Sequence, residues 1–347
     1  MLKPLLIFSV PFFMVGCSTS LSESTNSTPL KRQDWILVCN NENTCNAAGY
    51  TKPGSEHPSA VKLTRRAGGE AMFEGKMYFQ STQSGNVPHP NYRLEVNGQA
   101  LGRIAPSGYL TRPQVQALID GMQSNSPSIV VSKGKESWPI STQGARDVFR
   151  HMDEVQERTG TPSAVIDKGS MSNSLVPNAP FVPVVYPVNV VDSHTHQVDK
   201  GQADYQHFGP VMNKMMQEQC PMALAQQDDK PKALPHFRVA KLTDKRTLLM
   251  ATCFSGAYNR SSLALVVKND KPFFEPQIVS NKVNQYRQGV LTYTNKGRGL
   301  GDCMTHGKWV FDGFKFAKVS KSTTGLCREI GGGIDEMTEY HAVVAGQ

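Results

Sequence analysis

Taken as a pattern of apolar and polar positions, the chain reads mostly as short strands separated by turn chemistry. Trp35–Cys39 is an unbroken apolar run, residues 40–43 (Asn-Asn-Glu-Asn) favour a turn, and Cys45–Tyr50 returns as a second strand. Further strands are predicted over 60–66, 71–80, 92–96 and 129–132, and Asn97-Gly98 ahead of a run ending at Ile104 is the clearest hairpin signal in this half. Two helical periods interrupt them. The first starts at a capping Thr111 and carries Val115, Leu118, Ile119 and Met122 on one stripe. The second runs from Ser141 or Thr142 to about Arg158, with Ala145, Val148, Phe149, Met152 and Val155 inward. Its other face, which includes Asp153 and Arg158, reads as a solvated surface laced with ion pairs.

The character changes after residue 160. Pro162, Pro177, Pro180, Pro183 and Pro187 punctuate a stretch without helical period, which reads as an extended connector over 161–205. A helix is then expected after Pro210, with Val211, Met212, Met215 and Met216 filling a core. Strands follow over 237–242, 247–254, 262–268, 273–279, 289–294, 309–311 and 314–319. Asp312-Gly313 suggests a two-residue turn that would set Phe311 opposite Phe314 and Trp309 opposite Phe316. The expected class is α+β and β-rich: two antiparallel β domains, 34–160 and 206–347, each with one or two short helices and stapled by disulfides.

The first 33 residues read differently. Lys3 precedes an apolar run from Leu5 to Val15, about eleven residues and well short of the roughly twenty that a spanning helix needs. Gly16 then sits before Cys17. This start resembles a bacterial lipoprotein signal, which implies removal of residues 1–16, lipid on Cys17 and a bilayer as partner. Ser18 after the cysteine, in place of Asp, implies the outer membrane, with the protein facing the periplasm or the cell surface. Residues 17–33, rich in Ser and Thr, would serve as a tether too polar to fold alone.

Composition supports this frame. Hydrophobic residues make up 39% of the 347 and there are only three Trp, which suits many turns better than long helices. The formal charge of +8 is spread along the chain without a basic block, so nucleic acid is not an expected partner, while an anionic envelope surface or an envelope or host protein is. Of seven cysteines, six remain once Cys17 carries lipid. An even number in an oxidising compartment argues for disulfides, and no Cys-x-x-Cys occurs. Fifteen connectivities are possible; pairing of sequence neighbours gives Cys39–Cys45, Cys220–Cys253 and Cys303–Cys327.

Three stretches bear candidate chemistry. In Asp192-Ser193-His194-Thr195-His196 the two imidazoles, one residue apart on a strand, would point the same way and could share a zinc ion with Asp192, or with Asp199, Asp204 or His207. The Asp-x-His-x-His pattern resembles the opening of metal-dependent amidohydrolases, yet too few residues follow for their barrel. Residues 296–302, with Lys296, Arg298 and Asp302 among glycines, could cradle an anion, although no helix follows to complete a phosphate loop. Ser59-x-x-Lys62 lies in a strand and lacks the partner motifs of penicillin-recognising enzymes. No Gly-x-Ser-x-Gly, His-Glu-x-x-His or Walker sequence is present.

A family resemblance rests on Trp35-x-x-x-Cys39-Asn40-Asn41 through Cys45-x-Ala-x-Gly49-Tyr50, on Met152-Asp153-x-x-Gln156-x-Arg158-x-Gly160-Thr161, and on residues 295–303 followed by Trp309, Phe316 and Cys327-Arg328. These resemble the bacterial family called domain of unknown function 1176. Asn40 stands where the family pattern has Asp, and the tail turns to Gly331-Gly332-Gly333 without the expected tryptophan. The first half also distantly resembles the invasion-associated locus B family, which implies an envelope or host-facing role. The expected function is therefore a non-enzymatic binding or structural module of the envelope, needing no cofactor. A metal-assisted hydrolase or metal-binding protein at His194 and His196, and an inhibitor of an envelope-attacking enzyme, are the rival expectations.

Overall fold

The structure is a computed structural model that describes residues 28–80, 91–224 and 234–346; residues 1–27, and with them Cys17, lie outside the described residues. It has a β-rich α+β fold with several antiparallel sheets, short helices and three disulfides.

The first half is built on a five-stranded antiparallel meander of β1 (Leu30–Arg32), β2 (Trp35–Cys39), β3 (Cys45–Tyr50), β4 (Ser59–Arg65) and β5 (Phe73–Phe79). Every side chain of β2 and β3 is buried, so both faces of this sheet are covered. On one face Trp35, Leu37, Val61, Leu63 and Met77 meet two helices and a small second sheet. That sheet contains β6 (Arg93–Val96) and β7 (Gln99–Arg103), joined through Asn97 and Gly98 at φ 50° and 80°, the two left-handed residues a type I′ hairpin requires. Helix α1 (Arg112–Gly121) follows, with Thr111 as N-cap in a reciprocal capping box with Gln114. β8 (Ile129–Lys133) and β9 (Glu136–Ile140) complete the sheet in the order β7-β6-β8-β9.

Helix α2 (Ala145–Val155) is shorter than its period predicts. Ser141 and Thr142 do not join it because both are already engaged. The Ser141 amide and carbonyl bond Tyr50 O and Trp35 Nε1, and the Thr142 hydroxyl bonds Pro127 O. Its charged face is solvated at Arg146, Asp147, Arg150, Glu154 and Glu157, with Arg150 paired to Asp147, as expected, but Asp153 and Arg158 need correction. Asp153, Gln156 and Arg158 are buried, not solvated. Asp153 accepts from Arg65 Nη2 at 2.6 Å and from the amides of Val165 and Ile166, while Arg65 Nε donates to Gln156 Oε1. Arg158 reaches the carbonyls of Gly68 and Gly69. A strand arginine supplied from 88 residues away thus draws one edge of an otherwise solvated face into a core network.

Within the connector, β10 (Val184–Val185) and β11 (His196–Asp199) are strands. Helix α3 (Ala203–Gln219) starts before Pro210 and runs through it. One lost helical hydrogen bond is offset by packing. Tyr205 and Phe208 ahead of the proline are buried with Val211, Met212, Met215 and Met216 behind it, so the methionine stripe is core. After α4 (Pro221–Leu224), strands β12 (His236–Thr243), β13 (Arg246–Ser255), β14 (Arg260–Lys268) and β15 (Gln277–Val283) join β11 in a second five-stranded sheet. One face of it packs on α3; the other faces a third sheet of β16 (Gln285–Arg287), β17 (Val290–Lys296), β18 (Met304–Phe311), β19 (Phe316–Thr323) and β20 (Met337–His341). β21 (Val343–Val344) runs parallel to β10.

The β18–β19 turn also differs from the predicted register. Phe311 faces Phe316, and Trp309 faces Lys318. The Asp312 carboxylate accepts from the amides of Phe314 and Lys315, which makes a loop over residues 312–315 and turns Phe314 outward.

Candidate functional site

Two of the family motifs, the one ending at Tyr50 and the one running from residue 295 to Arg328, meet where the C-terminal segment crosses the open face of the first sheet, while the Met152–Thr161 motif lies on the opposite face with α2. Ile330, Ile334 and Met337 close over Ile36, Val38, Ala48, Tyr50 and Tyr78, giving a core shared by the two ends of the chain. Polar contacts fix the edges. Arg328 Nη2 donates to Asp34 Oδ1 at 2.7 Å and to Gln33 O; the Leu326 amide donates to the Tyr50 hydroxyl at 3.2 Å. Asn41 bonds the His341 amide and carbonyl, and Lys62 and Lys76 both reach Asp335. Burial pushes the Tyr50 phenol well up, so it stays protonated and keeps its hydroxyl in place.

The Cys303–Cys327 disulfide anchors this crossing. Asp302 beside it has a fully buried side chain. It accepts from Arg298 Nε at 2.8 Å, from Arg298 Nη2 at 2.5 Å and from the Glu329 amide at 2.8 Å. Burial pushes the Asp302 carboxyl up, but the Arg298 and Glu329 hydrogen bonds together outweigh it and hold the group below the usual carboxylate range. Arg298, held by Asp302 and Glu329, lies above its ordinary value. The glycine-rich loop is therefore a structural clamp before Cys303: its arginine, a candidate ligand for an outside anion, is bound by its own Asp302. Lys296 is exposed at the end of β17, with its backbone paired to the Asn259 side chain.

Asp302, Cys303 and Cys327 place a carboxylate oxygen and two sulfurs within 4.8 Å of one another, a set that could hold a metal ion. Cys303 is buried and Cys327 exposed, and they border a cleft of about 350 Å³ lined by Lys31, Asn295, Gly297 and Arg328. In the disulfide form both sulfurs are spent on each other and Asp302 is committed to Arg298, so ligation requires reduced cysteines and a displaced guanidinium.

The other expected metal residues are not gathered in this way. Asp192 accepts from the Lys241 amide at 2.7 Å, His194 meets its neighbour Ser193 at 2.9 Å, and His196 lies exposed in edge strand β11. His207 sits on α3 against Asn269 O. Among the described residues, no third ligand joins the two histidines within 4.8 Å. A strand periodicity covers His196 but not His194, which precedes β11, so the side chains do not alternate on one ladder as the spacing suggests. All three disulfides pair as expected: Cys39–Cys45, Cys220–Cys253 and Cys303–Cys327. The sequence reading missed Asp34, Asp335 and Arg65, which bear no motif; Arg328 beside Cys327 was the one available signal.

The chain is similar to the uncharacterized protein YpfG of Escherichia coli (strain K12), 25% identical over an alignment of 348 positions that covers 91% of this chain and 93% of the relative. Among solved structures, the tail fiber of Staphylococcus aureus phage P68 aligns over 90% of this chain and 71% of its own at 10% identity and a TM-score of 0.12, too low to bear on the fold. The seam just described, with its two motif-bearing ends, falls inside residues 31–342, which match the family described as protein of unknown function (DUF1176), and the chain belongs to that family.

Proposed function

We propose that this chain is a lipid-anchored protein of the outer membrane that acts as a non-enzymatic binding module of the cell envelope, held to the bilayer through Cys17. The observation that carries this reading is how the charged residues of the seam are spent. Arg298 is paired with Asp302 and Glu329, and Arg328, although it borders the adjoining cleft, is paired with Asp34. Such an arrangement fixes a shape, which is what a binding scaffold needs, and leaves no pair of groups poised for proton transfer. The lipoprotein-like start supports the location. Several acyl chains hold firmly where one holds marginally, so Cys17→Ser should move the protein from the outer-membrane fraction to the soluble periplasm. Wild-type protein found soluble and without lipid would refute the anchor.

A second reading is favoured by the Asp302, Cys303 and Cys327 set. Once reduced, two thiolates and a carboxylate suit zinc or another thiophilic ion. Zinc titration of the oxidised chain, the reduced chain and Cys303→Ser/Cys327→Ser tests it. Tight binding by the reduced wild type alone supports a thiol-gated site. Equal, weak binding in all three removes it, and binding lost only in His194→Ala/His196→Ala would move the site to the histidines.

A further inference from the structure

On the face of the second sheet that meets the third, the apolar rows end at Thr252 and Ser262, which stand directly opposite each other on β13 and β14. Two arginines close on this pair. Arg238 Nη2 donates to Ser262 Oγ at 3.1 Å, and Arg260 Nη2 donates to Thr252 Oγ1 at 3.2 Å. Arg238 lies on this face because its neighbours Phe237 and Val239 pack toward α3, and alternation sends it the other way. Directly opposed residues have Cβ atoms about 5 Å apart, so two guanidinium groups are held side by side on neutral hydroxyls.

Neither group has a carboxylate partner among the described residues. Gln197, opposite Arg238 on β11, instead directs its amide to Asp199 Oδ1 at 2.8 Å. Burial and then the charge of Arg260 hold Arg238 below its ordinary value, the mark of an uncompensated pair. The backbone of Lys296 is tied to the same turn. Asn259, next to Arg260, exchanges two 2.8 Å hydrogen bonds with the backbone of Lys296 and so ties the β13–β14 turn to the start of the glycine-rich loop.

We infer that Arg238 and Arg260, with Lys296 at the rim, form a binding site for a phosphate group, either a free phosphate or a phospholipid headgroup. Other arginines that anchor the fold are committed: Arg65 to Asp153, Arg298 to Asp302, Arg328 to Asp34, and Arg158 to the carbonyls of Gly68 and Gly69. This pair has hydroxyls on one side and unused N–H forks on the other. A tetrahedral phosphate offers enough terminal oxygens to meet both forks, and it would replace repulsion with charge-assisted hydrogen bonds. The site is independent of Cys303, Cys327 and the anchor, so its fate does not follow that of the proposed function.

The test uses the full chain carrying Cys17→Ser, with and without Arg238→Gln/Arg260→Gln. Thermal melting in inorganic phosphate is compared with chloride at matched ionic strength, and co-sedimentation with phosphatidylglycerol vesicles is compared with phosphatidylcholine vesicles. Loss of two charged donors should weaken binding about tenfold or more. A phosphate-specific rise in Tm that the double variant lacks identifies a free-phosphate site. Vesicle binding alone lost in the variant identifies a headgroup site. No phosphate or vesicle response in the Cys17→Ser chain, or one that the double variant keeps, overturns the inference. Arg260→Gln alone adds an internal check: relief of repulsion should raise Tm in anion-free buffer, and a lower Tm would show the two arginines to be structural cross-links and refute the site.

Discussion

Removing the seam disulfide as Cys303→Ala/Cys327→Ala should cost the protein more than its size on the surface suggests. The two cysteines are 24 residues apart in sequence. In the chain-entropy picture, closing a loop of about 25 residues restricts the unfolded chain by about 3.5 kcal/mol, against about 2.4 kcal/mol for the loop of about seven residues closed by Cys39–Cys45. The native state also bears on the outcome. Cys327 is followed directly by Arg328, Glu329 and Ile330, which hold Asp34, Asp302 and the shared apolar cluster, so a loosened cysteine leads straight into the crossing segment. Urea unfolding followed by fluorescence gives the total. Hydrogen exchange locates it, with faster exchange expected at Leu326, Gly333 and Ile334, whose amides bond Tyr50, Ile330 and Thr324. A loss below about 1 kcal/mol, or a larger loss in Cys39→Ala/Cys45→Ala, would refute the assignment of this bridge as the seam's anchor.

Two further outcomes follow from buried charge. Asp153→Ala leaves the Arg65 guanidinium, 1% exposed, without its carboxylate and should destabilise the first half by about 3–5 kcal/mol, whereas Arg65→Met with Asp153→Leu should recover much of that; Trp35 and Trp138 fluorescence in urea reports both, and equal losses would show that charge is not the cause. Asp302 and Asp335 are both pushed up by burial and brought below the usual carboxylate range, by hydrogen bonds from Arg298 and Glu329 in one case and by the Lys76 hydrogen bond with the Lys62 charge in the other. Depressed carboxylates stabilise the fold above their unfolded pKa of about 4, and that contribution disappears as pH falls through the folded values below it. Stability measured from neutral pH down to about 3 should therefore fall less steeply in Asp302→Asn than in wild type, and an unchanged acid limb would remove Asp302 from the account.

Much of this protein is local and was legible as such. The Asn97-Gly98 hairpin, the Thr111 cap, the inward stripe of α2 and the buried methionines of α3 each depend on residues within a few positions, where turn chemistry and periodicity act. Disulfide pairing was legible because each bridge joins neighbours in the cysteine order, 6, 33 and 24 residues apart. Periodicity also misled where a distant group took over. Asp153 looks exposed until Arg65 arrives, Pro210 looks like a helix start until Tyr205 and Phe208 find a sheet to pack on, and Arg298 looks free until Asp302 and Glu329 close around it.

By itself, then, the sequence determined the β-rich class, the presence of disulfides and most element positions, because backbone propensity and side-chain alternation are short-range. Only the tertiary structure decided what covers each apolar face and which charges meet. The uninterrupted apolar runs of β2 and β3 announce burial on both sides, but that Ile330, Ile334 and Met337 supply one of those sides depends on contacts such as Tyr50 with Leu326, 276 residues apart, and Asp34 with Arg328, 294 apart. Ion pairing and sheet packing are set by position in space, and a one-dimensional pattern does not encode which distant segment will be there.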